Sequence, residues 1–572
     1  MKKINILSLG VLTFLIGGFT VSAASMPDDD NGKITLTEDI DLTETFTVNA
    51  DEEITLDLAG HTITGSADIN YYTIENNGKL TIIDSGTDGK IICGEESSSC
   101  IRNNKGTLNI DGVYVESPFA TIKNEADSTL AVKNSEIVST HVGNSLSGGF
   151  TGALQNWGSA TVDNTTITAA SDYAVFARSG ADEGKSSDIT ISNSNLSGSY
   201  FVVTERTNST TTTQTINISD STLSGRASIS NNGSIQSYSG DITLTTNHVS
   251  VNNTVIANSE AGTKITLDVD YNTTLAIPDG VTVVIPEDHT LTVPTNGVKV
   301  GNGTLDLQGK MVNGNVLVEN TNGYYPTLRD AVQSIKLDTT GTEITLLNDT
   351  NETRNISISR KEITIDLNGH DINSTTGINL ANSATIEITD SSDNEGLVNT
   401  TVTNSGKLTI SGGKFNNVPT TNQGATTTLV GGTFPADEIA DLEVPEDKEI
   451  ITNEDGTASI VYKAADYTKV DEAIKNAEAI DRSKYTEESL KALDDAIKAI
   501  DRTLRLDKQA EVDAMADAIN NAIASLVEIT EDPNTDIENP STSDNVGVFM
   551  ALGAISVMGL AAATVVLKKR HN

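Results

Sequence analysis

The stretches LTIID (80–84), LNIDG (108–112), LAVKN (130–134), ATVDN (160–164), ITISN (189–193), INISD (216–220) and ITLTT (242–246) can be written one beneath another. Each alternates apolar and polar residues, the period of a strand with one buried face. Their second apolar residues, Ile82, Ile110, Val132, Val162, Ile191, Ile218 and Leu244, follow one another at intervals of 22 to 30 residues. An interval of this length is typical of solenoids. Two positions further on stands a turn former in most copies: Asp84, Gly112, Asn134, Asn164, Asn193, Asp220. Three beyond that comes another apolar residue: Val115, Ile137, Ile167, Leu196, Leu223, Val249. Asn, Asp and Gly tolerate the left-handed backbone of a sharp corner, so each repeat reads as strand, corner, strand. Stacked coils pair equivalent strands in parallel and gather equivalent apolar residues into one core.

LAIPD, VVIPE and LTVPT place Ile277, Ile285 and Val293 eight residues apart. Three sides of that length give a coil of about 24 residues, within the longer spacing. The pattern predicts a three-sided coil, with a local meander as the alternative. EITLDLAGH (53–61) returns as EITIDLNGH (362–370), each followed by an Asp-Ser segment, near Asp84 and Asp390. The solenoid is therefore expected in two units, 25–322 and 323–462. GYYPTLRDAVQSI (323–335) has helical spacing at Leu328, Val332 and Ile335, as a start or cap for the second unit. LTISGGKF and TTLVGGTF close it, with corners at Gly412-Gly413 and Gly431-Gly432.

At Tyr467 the period changes to 3.6. Val470, Ile474 and Ala477 form one stripe, Leu490, Leu493, Ile497 and Ile500 a second, and Val512, Met515, Ile519, Ile523 and Leu526 a third. Thr486, with Glu487 and Glu488 behind it, reads as an N-cap. Three amphipathic helices make a small bundle over 463–528. The segment 529–545 is acidic, carries prolines and reads as a linker.

Both ends address the chain outward. Lys2 and Lys3 precede an apolar run from Ile4 to Phe19 and the small residues Val21-Ser22-Ala23-Ala24, the form of a signal peptide over 1–24. Val546 to Leu567 is an uncharged run of about 22 residues, which as a helix rises roughly 33 Å and suits a bilayer. Lys568, Lys569 and Arg570 then hold the C-terminus of 546–572 in the cytoplasm.

A formal charge of −42 opposes association with nucleic acid. Aromatic residues make up 4%, too few for the core of a large globular enzyme, and Gly numbers 45; both favour an elongated chain. Cys93 and Cys100, in CGEESSSC, favour one local disulfide in an exported chain, and no His near them supports zinc. No loop carries a clustered calcium pattern, so no metal and no cofactor is expected.

The paired DL-x-GH segments and the GG-x-F endings resemble bacterial pectate-lyase-like right-handed parallel β-helix proteins of the adhesin type. YTKVDEAIKNAEAI to AINNAIASLVE is similar to the FIVAR-type modules of Gram-positive surface proteins, which the family links to matrix or sugar binding. The tail resembles a sortase sorting signal, with pentapeptide Asn539, Pro540, Ser541, Thr542 and Ser543, a spanning helix and a basic end. Ser543 stands where the family usually has Gly, and Asn539 where Leu is commonest. The resemblance implies attack of a sortase thiolate on Thr542, cleavage before Ser543 and transfer to peptidoglycan. It implies a mainly β cell-wall adhesin whose partners are sortase, peptidoglycan and a host glycan or matrix protein. The membrane is met only through the C-terminal helix before sorting.

The same scaffold carries polysaccharide lyases and hydrolases, so fold alone does not decide. Hydrolysis needs two or three neighbouring acids, and lyase chemistry needs carboxylate-bound calcium beside Arg or Lys. No paired-Asp motif of the NTD or DD type and no R-I-K segment stands in the stacked strands. His61 and His370 follow Gly in duplicate corners, which suits a structural role, with Asp57 and Asp366 capping backbone donors. Asp84, Asp163 and Asp220 read as corner formers. Trp157 is the only tryptophan, and Tyr71-Tyr72 and Tyr324-Tyr325 are the only adjacent tyrosines, a poor basis for a sugar platform. No catalytic residue is expected. Rows of Thr, Ser and Asn suit a multivalent adhesive surface, or a wall spacer that binds nothing.

Overall fold

The computed structural model describes residues 23–24, 26–27, 30–66, 72–94, 99–142, 152–179, 185–206, 212–225, 234–246, 249–440 and 444–530. The sorting pentapeptide Asn539–Ser543, the Val546–Leu567 run and nearly all of the leader lie outside these residues. Among the described residues, no helix is long and apolar enough to cross a membrane.

The chain is mainly β, a parallel solenoid. Three sheets form the first coil stack: thirteen strands from Ala23–Ala24 to Thr304–Leu307, nine from Lys33–Thr35 to Ser234–Ser239, and seven from Phe46–Val48 to Tyr200–Arg206. They are termed sheets 1, 2 and 3. Every pairing within them is parallel, and strands at about 4.8 Å spacing make sheet 1 roughly 58 Å long. From Phe46 to Ser224 each coil passes from sheet 3 to sheet 2 to sheet 1, as in Tyr72–Asn76, Lys79–Ile83 and Lys90–Ile92. Past Ser239 sheet 1 continues beside Leu275–Ala276, Val298–Lys299 and the pair Thr290–Thr292 and Lys310–Val312. Helix α1 (Val249–Ala257) interrupts the stack and buries Val255 and Ile256 in its core.

Ile82, Ile110, Val132, Val162, Ile191 and Ile218 form one continuous column in sheet 2, each paired with the next. The column ends differently from the sequence reading, because Ile218 pairs with Tyr238, not Leu244. Leu244 lies in sheet 1 beside Leu223, extending the column Val115, Ile137, Ile167, Leu196 and Leu223. Val249, expected there, opens α1 instead. Gly240 (φ +68°) holds the usual corner position two residues after Tyr238, and the coil before it, 20 residues from Ile218 to Tyr238, is shorter than the earlier ones. Both columns carry the same alternation, so periodicity could not distinguish them.

Gly112, Asn134, Asn164, Asn193 and Asp220 all have positive φ, between 46° and 73°. Asp84 does not, and acts through its carboxylate. The residue after the corner is a buried Ser or Thr in four successive coils. Ser135, Thr165, Ser194 and Ser221 each donate to the carbonyl two residues earlier, at 2.5 to 2.8 Å. Each also accepts an amide of the preceding coil: Val113 N to Ser135 Oγ at 3.1 Å, Ser135 N to Thr165 Oγ1 at 3.4 Å, Thr165 N to Ser194 Oγ at 3.1 Å and Ser194 N to Ser221 Oγ at 3.1 Å. The amides of Gly112, Asn134, Asn164 and Asn193 themselves bond carbonyls of the following coil, and the hydroxyl column takes up the amides that come next in the chain.

A second polar column closes the sheet 3 to sheet 2 turn. Asn76, Asn103, Asn124 and Asn156 are fully buried, and the Nδ2 of each of the first three donates to the next Oδ1 at 2.8 Å. The same amides reach the carbonyls of Thr107, Thr129, Ser159 and Asp188. Asn404 repeats the arrangement in the second stack, donating to Thr426 O and accepting from Gly406 N, both at 2.8 Å. A Cβ at Gly78, two residues after Asn76, would collide with the carbonyls of Asn49 and Glu52, so this turn requires glycine.

Strand Gly323–Tyr325 joins the stacks. It pairs antiparallel with Val298–Lys299 on one side and with Val316–Val318 on the other, and Val316–Val318 pairs antiparallel with Thr339–Leu346. Strand direction is thus reversed between Val298–Lys299 and Thr339–Leu346. The buried face changes as well: Tyr324 packs on the first core, and its neighbour Tyr325 lies in the second with Val316, Val318, Ile344 and Leu346. Reversing both strand direction and buried face leaves the hand of winding unchanged. Adjacent tyrosines facing opposite ways follow from the two-residue period of a strand.

The second stack runs to Tyr462 on sheets anchored by Thr339–Leu346, Thr350–Glu352 and Ile356–Ile358. Helix α2 (Leu328–Ser334) buries Leu328, Ala331 and Val332 at its start, with Thr327 as N-cap. Helix α3 (Ala436–Ile439) and the antiparallel pair Lys448–Thr452 and Thr457–Tyr462 lie at its far end. A separate unit from Lys463 holds α4 (Thr468–Glu478), α5 (Glu487–Lys498) and α6 (Gln509–Ala524) around Val470, Leu493, Val512 and Ile519. Thr486 caps α5, accepting from Ser489 N.

Candidate functional site

The duplicated segment builds the same corner twice, atom for atom. Asp57 Oδ1 accepts from the amides of Ala59 (3.1 Å) and Ser85 (3.0 Å); Asp366 Oδ1 accepts from Asn368 and Ser391, both at 2.9 Å. Asp84 accepts from Gly60 (2.6 Å), Gly86 (3.1 Å) and Gly89 (2.8 Å), and Asp390 from Gly369 (2.9 Å), Ser392 (3.1 Å) and Gly396 (2.6 Å). His61 Nδ1 lies 3.5 Å from Asp39, and His370 Nδ1 3.6 Å from Asp349. These carboxylates neutralise amides at a corner where Ala59-Gly60 and Asn368-Gly369 both have positive φ. They are occupied by the backbone, which leaves them poorly placed to exchange protons with a substrate.

Burial works against ionisation of Asp57, but the Ser85 amide and hydroxyl, the Ala59 amide and the charge of Lys33 hold it below the ordinary carboxylate value. A depressed folded value adds stability that is present above the unfolded value and is lost as pH falls through the folded one. Asp57→Asn should therefore flatten the acid limb of unfolding below about pH 4, read by circular dichroism between pH 5 and pH 2. Asp163 accepts from Ser192 Oγ (2.7 Å) and Asn193 Nδ2 (2.8 Å), and Asp220 from the Asp241 amide at 2.9 Å. Asp220 is the corner residue expected, whereas Asp163 ends strand Ser159–Asp163 and braces the Asn193 corner of the next coil.

A group of charged and aromatic side chains lies on the outer side of sheet 3. Pairing brings Glu75, Arg102, Lys123 and Gln155 into one row. Arg102 Nη1 meets Glu75 at 2.9 Å and its Nε meets Glu125 at 3.0 Å, while Lys123 Nζ reaches the same Glu125 oxygen at 2.9 Å. Lys123 sits 4.2 Å and Arg178 5.2 Å from the centroid of Trp157, and Arg102 lies 5.0 Å from that of Tyr72. Trp157 is thus engaged by cations of its own sheet. Replacing Arg102 by Met should cost about 1–3 kcal/mol, reduced from the buried-pair figure because Arg102 is 26% exposed, read as a shift in the urea midpoint. Sequence reading missed this row. Its signal is the repeated tetrapeptide TIEN (73–76), CIRN (100–103), TIKN (121–124) and ALQN (153–156), in which the row residue precedes the buried Asn.

In the later coils the other two outer faces carry columns of Thr, Ser and Asn, whereas the earlier coils of sheet 1 place Lys90, Tyr114 and Glu136 in the same column. Sheet 1 aligns Thr166, Asn195, Thr222, Thr243 and Thr266, and a second column, Thr168, Ser197 and Ser224, stands two residues along. Sheet 2 aligns Thr161, Thr190, Asn217 and Ser237. Neighbours in a column are about 4.8 Å apart and the columns about 6.7 Å apart.

Cys93 and Cys100 are joined by a disulfide, with Cα atoms 5.4 Å apart. Among the described residues no group of three or more His, Cys, Asp or Glu is arranged to hold a metal ion. No protein-family model and no curated protein matches the chain.

Proposed function

We propose that the chain is an exported adhesin-like protein of a Gram-positive surface, joined by a sortase at Thr542 to peptidoglycan and displaying a right-handed β-helix. The observation that supports this reading best is the set of Thr, Ser and Asn columns in register on the outer faces of sheets 1 and 2 in the later coils of the first stack. Single hydroxyl contacts are weak, and a repeated array gains by multivalency against a repeating ligand. The corner carboxylates are held by backbone amides, so the conspicuous acids serve the fold. The FIVAR-like bundle and the acidic linker stand between the solenoid and the anchor.

Purified residues 25–462 should bind particular glycans or matrix proteins on an array and release neither reducing sugar nor unsaturated product from uronic-acid polymers. Turnover would replace the adhesin with an enzyme, and an empty array would leave a wall spacer. The mature protein should resist detergent, be freed by muramidase and end at Thr542. A detergent-soluble product with an intact C-terminus would refute sorting.

A further inference from the structure

The helical unit is closed by two clamps at opposite ends of α5. The segment by which the chain enters, Lys463 to Tyr467, is held against the connector that follows α5. Ala464 and Arg505 pair antiparallel, with Leu506 N donating to Lys463 O at 2.9 Å and Ala465 N to Leu504 O at 3.3 Å. Gln509 closes the same clamp, its Oε1 accepting from Asp466 N at 2.7 Å and its Nε2 donating to Asp466 O at 2.8 Å. Tyr467 Oη accepts from Leu504 N at 3.1 Å and donates to Asp501 O at 2.8 Å. Ala465 is buried, and Tyr467 and Leu504 pack on the core of the unit.

The segment by which the chain leaves, Val527 to Ile529, is held at the connector that precedes α5. Tyr485 and Glu528 pair antiparallel, with Thr486 N donating to Val527 O at 2.9 Å and Ile529 N to Lys484 O at 2.8 Å. Val527 N donates to Ser489 Oγ at 3.2 Å. These three hydrogen bonds stand against six in the entry clamp, and the side chains of Val527 and Ile529 are 56% and 54% exposed. A contact with so little buried surface is the one that opens most readily.

We propose that the helical unit carries tension between the solenoid and the wall through these clamps, and that the Val527–Ile529 clamp is its release point, so that the tether lengthens before the solenoid tears. The inference rests on the proposed attachment at Thr542, because only a chain held at both ends is loaded here. A pull on the two ends passes from the entry segment into the connector after α5, along α5, and out through the connector before it. While both clamps hold, α4 and α6 lie outside that path. Once the exit clamp opens, the pull falls on the end of α6, and the packing of the three helices is what resists it. The last solenoid strand, Thr457–Tyr462, is by contrast paired along both edges. Residues 463–529 extend to roughly 220–240 Å. Folded, the sixteen-residue α6 spans roughly 24 Å. Release therefore adds about 200 Å of tether.

Optical tweezers test this on the mature form, 25–542, held by its two ends. The first event under rising force should lengthen the chain by about 200 Å. Ile529→Pro deletes the amide donated to Lys484 O and should open severalfold faster at the same force, with the helical circular dichroism unchanged. Joining Tyr485→Cys to Glu528→Cys by a disulfide should abolish the long event and leave at most the roughly 80 Å of 463–485. A solenoid that tears first in the unsubstituted chain, a locked variant that still lengthens by about 200 Å, or an unchanged opening rate in Ile529→Pro would each overturn the proposal. The first of these results stands even if a variant fails to fold. Failure of the attachment itself is read separately, from the C-terminus of the mature protein, and would move none of these measurements.

Discussion

Asn103→Ala should destabilise the first stack by about 4 kcal/mol, although it removes a side chain with almost no apolar surface. Asn103 is fully buried, donates to Asn124 Oδ1 at 2.8 Å and to Thr129 O at 2.9 Å, and accepts from Asn76 Nδ2 at 2.8 Å. Alanine leaves three polar groups without that partner, each costing about 1–3 kcal/mol when buried. The loss also falls in the middle of a column, so Asn76 and Asn124 are both weakened. Asn104 is the control: it sits one residue along and makes a single side-chain bond, to Asn77 at 2.9 Å, nearer the surface. Asn104→Ala should cost under about 1 kcal/mol. Urea unfolding of both variants decides the matter, and equal losses would show that the buried column does not stabilise the coil.

That column also shows where sequence reading reached and where it stopped. Columns such as Ile82 to Ile218 were legible because an inward residue must be apolar and the two-residue period sets its place. The corners at Asn134, Asn164 and Asn193 were legible because few side chains accept positive φ. Register at the end of the stack was not legible. The coil from Ile218 to Tyr238 closes in 20 residues, so Leu244, which keeps the expected interval of 26, falls in sheet 1. The buried Asn and Ser or Thr columns were passed over because polar residues were assigned to the surface, yet both left a signal. Asn-x-Gly recurs at 76–78, 156–158 and 404–406, and a corner Asn or Asp is followed by Ser or Thr at 134–135, 164–165, 193–194 and 220–221. The outer row of sheet 3 was hidden for another reason, since Glu75, Arg102 and Glu125 come from different coils and meet only through pairing. At Gly323–Tyr325 the boundary was legible, but the change of buried face was not, because it depends on three antiparallel pairings.

The change of buried face leads to the second large effect. Because Tyr324 and Tyr325 serve different cores, the apolar interior divides there. The duplicated corners lie on opposite sides of that division. Asp84→Ala removes acceptors for the amides of Gly60, Gly86 and Gly89, and Asp390→Ala does the same to Gly369, Ser392 and Gly396. Charge-assisted bonds of this kind contribute about 1.5–3 kcal/mol each, but water can reach part of each corner, so about 3 kcal/mol in total is expected for either variant. Trp157, the only tryptophan, belongs to the first stack and reports on it alone. Asp84→Ala should lower the unfolding midpoint followed by Trp157 fluorescence. Asp390→Ala should leave that midpoint within about 0.5 kcal/mol while bringing forward part of the circular dichroism transition. The two cores would then melt separately despite a continuous sheet between them. A Trp157 midpoint shifted equally by both variants would mean that Gly323–Tyr325 couples the two stacks into one cooperative unit.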